Sequence, residues 1–189
     1  DNRRIILQPG ATLDVSGNRL YGGTSIGSIE GDGVVVLGGD TVLTVGILNT
    51  DTTFSGSMID GPGFGPNGQL TKIGSGRLSL NGTNTYTGVT TVSAGTMAVN
   101  GSVAGNVTVA DGATLGGTGT IGGSVSIADG GILAPGNSPG TLRTGSLTLS
   151  SNSIVNLEIG VVSDLLIVTG NLTLDGVLNI TPGTGFNAF

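Results

Sequence analysis

The residues able to do chemistry in this chain are few, and their kinds are restricted. Histidine and cysteine are both absent. That removes Ser-His-Asp and Cys-His nucleophilic arrangements, thiolate and imidazole metal sites, disulfides, and the usual general base near neutral pH. What remains is carboxylate chemistry. Glu158 and Asp164 are the nearest carboxylates late in the chain, and a pair of carboxylates is the machinery of glycoside hydrolysis. Such a site also needs a surface for sugar rings, and with no tryptophan and 3% aromatic residues the chain offers none. No catalytic residue is assigned.

Other chemical motifs dissolve in their context. Gly117-x-Gly119-x-x-Gly122 spells a dinucleotide fingerprint, but the fingerprint needs a helix after it, and Ser124-Val125-Ser126-Ile127 reads as a strand. The aspartates come one per turn rather than in a cluster, and the Gly-Gly-x-Gly-x-Asp calcium pattern does not occur. Neither a cofactor nor a metal is expected. Arg3, Arg4, Arg19, Lys72, Arg77 and Arg143 are scattered through a chain of net charge −6. No basic stripe can neutralise a run of phosphates, so neither nucleic acid nor an anionic membrane surface is an expected partner. Lys72 is expected to be solvated.

Two aromatic residues are weighed as partner contacts. Phe64 lies in DGPGFGPNGQ at 60–69, the longest interruption of strand pattern. Residues 57–69 are read as a loop insertion, tolerated whether or not Phe64 binds anything. Tyr86 could join a stacking platform, and packing between rungs is the competing reading.

The elements that must position these residues are short strands. Glycine is 38 of 189 residues without a three-residue period, which excludes collagen. Hydrophobic residues at 37% and a mean hydropathy of +0.33 argue against disorder. Val107-Thr108-Val109 and Val125-Ser126-Ile127 alternate apolar and hydroxyl side chains, the period of a strand. Asp-Gly or Asn-Gly follows strand after strand, as at 81–82, 100–101, 111–112 and 129–130.

These strands recur in phase. Val107, Val109, Ala110-Asp111-Gly112 and Leu115 return as Val125, Ile127, Ala128-Asp129-Gly130 and Leu133, at an offset of 18. Val92 precedes Val109 by 17, and Ser146-Leu147-Thr148-Leu149 returns at 171–174 after 25, so the loops absorb the variation. A β-sandwich needs no such phase locking. A coil that winds once per repeat does, because each residue must stack on its equivalent to continue one core. The expected fold is all-β, a parallel β-helix over residues 1–189 as one segment. No apolar run reaches the roughly 18 residues of a spanning helix. With Asp1 first, no signal peptide and no evident cap at either end, the segment is expected to belong to a longer protein.

Residues 70–101 carry a more specific pattern. Leu70, Lys72, Gly74, Gly76, Leu78, Leu80, Gly82, Asn84, Tyr86, Gly88, Thr90, Val92, Gly95, Val99 and Gly101 fall in turn on the fixed positions of a known repeat. The stretch closely resembles the passenger-associated repeat of autotransporters, the type V secreted proteins of Gram-negative bacteria. Val89 and Met97 depart from it mildly. Ala134-Pro135-Gly136-Asn137-Ser138-Pro139-Gly140-Thr141-Leu142 looks like another segment common in such passengers. The resemblance implies a right-handed β-helix, threaded through an outer-membrane β-barrel translocator of the same precursor, with stepwise folding outside the cell supporting export. It implies a secreted or cell-surface, structural and adhesive protein. Its partners would be a host-cell or neighbouring-cell surface component, or further copies of itself. A polysaccharide-acting enzyme on the same scaffold is the remaining rival.

Overall fold

A computed structural model describes residues 2–18, 23–61, 65–136 and 139–186. Among them every paired strand runs parallel to its neighbour, as in Arg4–Leu7 on Ser28–Gly31 and Val107–Val109 on Val125–Ile127, and no α-helix occurs. The chain is a β-solenoid of about eight turns.

Three faces enclose one core. The first is a nine-stranded sheet that begins at Arg4–Leu7, passes through Arg77–Leu80 and Thr114–Gly117, and ends at Val177–Pro182. The second has eight strands, from Thr24–Ile26 through Gln69–Lys72 and Thr90–Val92 to Leu172–Thr173. The third is broken: three strands end at Ser57–Asp60, and five more begin at Thr83–Asn84.

The stacking register is the one that the repeats demand. Val107 pairs with Val125 and Val109 with Ile127, Val92 pairs with Val109, and Leu147 pairs with Leu172. Alternation then sends Leu70, Val92, Val109 and Ile127 inward and Thr71, Thr91, Thr108 and Ser126 outward. One turn alone cannot cover its own aliphatics, so Leu78, Met97, Leu115 and Leu133 close each other off in a continuous column. Each such side chain contributes about 1.5–3 kcal/mol on full burial.

The connection before the repeat is narrower than the sequence suggests. Ser57–Asp60 is a strand paired with Val34–Leu37, so the first four residues of the insertion expected over 57–69 belong to the ladder, and Gln69 opens the next strand. The apolar residue Met58 and the alternation around it belong to the core, not to a loop.

Candidate functional site

Polar groups of residues 57–102 lie at two places, Lys72 at the corner between the second and first faces and Asp60, Asn84 and Tyr86 around the break in the third. Lys72 follows Leu70 on the inward phase of its strand and stacks between Val45 and Val92. Its side chain is 1% exposed. The ammonium donates to the carbonyl oxygens of Ile73 at 2.7 Å, Gly74 at 2.9 Å and Ala94 at 3.2 Å, which uses all three of its protons. Burial lowers its pKa, and the charge of Asp51 works against that shift. The expectation of a solvated Lys72 is therefore corrected. Strand alternation already placed it in phase with Leu70, and its charge obscured that signal.

Asn84 is also enclosed, at 1% exposure. Its Oδ1 accepts the Met58 amide from the turn below at 3.0 Å. Its Nδ2 donates to Gly82 O at 3.2 Å and to Ser102 O, in the turn above, at 3.0 Å. Asp60 reaches the other way. Its Oδ1 accepts Gly68 N at 2.8 Å, and its Oδ2 accepts both Thr87 N at 3.0 Å and Thr87 Oγ1 at 2.8 Å.

Tyr86 is wholly buried, and its hydroxyl is hydrogen-bonded to Thr90. Burial raises its pKa well above the ordinary phenol value. As a partner contact Tyr86 is corrected: a ring without exposed surface packs between rungs and cannot meet a ligand. Phe64 lies outside the described residues.

The late carboxylates Glu158 and Asp164 line one cleft on the first face, and Asp164 is engaged by the backbone. Both oxygens of Asp164 are taken by backbone amides, Gly140 N at 3.0 Å and Glu158 N at 2.8 Å. Asp164 is thus a pin between two turns, and the Glu158 carboxylate lies against Gly183 instead. Turn acids and amides elsewhere do the same work. Asp51 accepts Arg77 N at 2.7 Å, Asn106 accepts Ser124 N at 2.8 Å, and Asp129 accepts Asn152 N at 2.9 Å. Among the described residues no three acidic side chains cluster as a metal site would require. The segment after Gly122 is the strand Val125–Ile127, so Gly117-x-Gly119-x-x-Gly122 shapes corners.

Two surface features remain. A shallow cleft along the outer side of the first face runs from Arg77 past Thr96 and Thr114 to Asn156 and Glu158. The final turn exposes apolar side chains that earlier turns bury, Leu174 at 72% and Leu178 at 57% among them.

The comparisons with known proteins agree with this architecture. Residues 70–99 match the family described as Passenger-associated-transport-repeat. The chain is 45% identical over 64 residues, 29% of its length, to the "Adhesin BmaC autotransporter" of Brucella suis biovar 1 (strain 1330). It is 50% identical over 75 residues, 40% of its length, to an "Extracellular serine protease" of Serratia marcescens. It spans 2% of the first relative and 7% of the second. The matched repeat contains the buried polar side chains Lys72, Asn84, Tyr86 and Thr90.

Proposed function

We propose that this chain, a β-solenoid carrying a passenger-associated transport repeat, is part of the stalk of a secreted or surface-displayed Gram-negative autotransporter, with a structural and adhesive role and no catalysis of its own. The observation that carries the reading is the placement of the repeat. Residues 70–99 are not an appended motif but part of an uninterrupted core, continuous with the turns on either side. A solenoid of this kind gains its stability turn by turn, because each turn mainly contacts its neighbours. That suits a chain that emerges progressively through a translocator barrel of the same precursor and folds as it emerges. The consumption of Asp164 by backbone amides supports the non-catalytic assignment.

Display tests it. In its precursor the segment is expected to reach the outer face of the cell, to be protease-accessible on intact bacteria, and to increase attachment to host or neighbouring cells. Retention in the periplasm sinks the export reading. Hydrolysis of a polysaccharide or protein substrate by the purified segment, lost on Glu158→Gln, sinks the non-catalytic one.

Self-association is a second reading, favoured by the scarcity of charge along the solenoid, 10% of residues, which leaves little electrostatic repulsion between copies. Light scattering that stays monomeric across concentration removes it.

A further inference from the structure

We propose that Asp60 and Asn84 form a reciprocal clasp that fixes the register between the two stacks of the solenoid. The problem it answers is visible in the core. Turns of this coil are nearly interchangeable: Leu78 and Leu80 have Met97 and Val99 as equivalents, and Thr71 has Thr91. The hydrophobic effect is non-directional, so a stack shifted by one whole turn buries almost the same apolar surface. Closing the looped-out turn costs little more than closing the native connection, because loop entropy grows only slowly with length.

One slipped arrangement is favoured by the core itself. If Val42–Val45 skipped the strand Gln69–Lys72 and stacked on Thr90–Val92, Val45 would meet Val92 instead of Lys72. The Lys72 ammonium would then return to water. Native stacking buries a charge that the slipped stacking does not, so aliphatic packing alone selects the wrong neighbour.

The break in the third face supplies the opposing preference. Between Ser57–Asp60 and Thr83–Asn84 no strand ladder forms. Asn84 reaches down to Met58 N, and Asp60 reaches up to Thr87 N and Oγ1. In the slipped stack Val103, the equivalent of Asn84 one turn on, would face Met58 with no acceptor to offer. Ala104 likewise has no hydroxyl for Asp60. A buried amide without a partner carries a large desolvation cost, and the part-exposed Asp60 loses its two bonds to Thr87, so the clasp makes the native neighbour the one that satisfies both.

Engineered disulfides read the register directly, since the chain has no cysteine of its own. Thr44, Thr71 and Thr91 point outward on consecutive strands. T44C/T71C lie one strand spacing apart, about 5 Å, and T44C/T91C about 10 Å, beyond disulfide reach. After refolding with the clasp intact, T44C/T71C is expected to oxidise fully and T44C/T91C hardly at all. Adding Asp60→Ala with Asn84→Leu should raise the T44C/T91C disulfide at least tenfold. Asn106→Ala, which removes an inter-turn cap from an unbroken ladder, should leave it unchanged. The proposal is overturned if the clasp variants still form only the T44C/T71C bond. It is also overturned if they lose their β-sheet circular dichroism, because the clasp then supplies stability rather than register.

Discussion

The backbone of Gly82 lies against the carbonyl oxygen of Gly56 in the turn below, so closely that a β-carbon on Gly82 would overlap it. Gly101 bears the same relation to Gly82, and Gly119 to Gly101. One edge of the coil is thus a column of glycines whose carbonyls fill the space a side chain would take. Gly82→Ala is expected to destabilise the protein by about 2 kcal/mol or more, because the obstacle is backbone and cannot rotate away. Gly17, with nothing near its β position, is the control, and Gly17→Ala should change stability by less than about 0.5 kcal/mol. Chemical denaturation of the two variants checks the contrast.

Lys72 is the chain's single lysine. Enclosed by three carbonyls, it should resist an amine-reactive reagent in the folded protein and react once the protein is unfolded. Mass spectrometry of the labelled peptide distinguishes the states. Rapid modification of Lys72 in the native protein would contradict its burial.

Thr144 is 1% exposed and its Oγ1 has no hydrogen-bond partner. A buried hydroxyl without a partner costs about 1–3 kcal/mol. Thr144→Val keeps the shape, removes the hydroxyl and favours a strand, so it should raise the denaturation midpoint by an amount equivalent to about 1 kcal/mol. A fall would show that the hydroxyl is bonded in solution.

Tyr86 makes stability depend on alkaline pH. Its folded pKa is raised above the ordinary 10.0 by burial. As pH climbs past 10.0 the unfolded phenol loses its proton while the buried one keeps it, so the unfolded state binds fewer protons and stability falls. The contribution is fully present below that pH. Tyr86→Phe should flatten this part of the alkaline decline, and phenolate absorbance should show one of the two tyrosines titrating only on unfolding. Equal alkaline slopes in both proteins would contradict the shift.

The solenoid was legible in the sequence because stacking imposes one condition on every turn. Val107, Val109 and Leu115 had to recur at the spacing of Val125, Ile127 and Leu133, and the strand period of two told which side chains face inward. The glycine-rich corners followed from the same regularity, whereas the repeat over residues 70–101 was legible through its resemblance to a known family, whose match covers 70–99. Lys72, Asn84 and Tyr86 were decided by the tertiary structure. Local partners such as Ile73, Gly74, Gly82 and Thr90 are completed by others that are not local, since Ala94, Met58 and Ser102 belong to neighbouring turns. Alternation can assign a lysine to a face. Whether that face ends in carbonyl oxygens able to hold its charge depends on how the next turn closes over it.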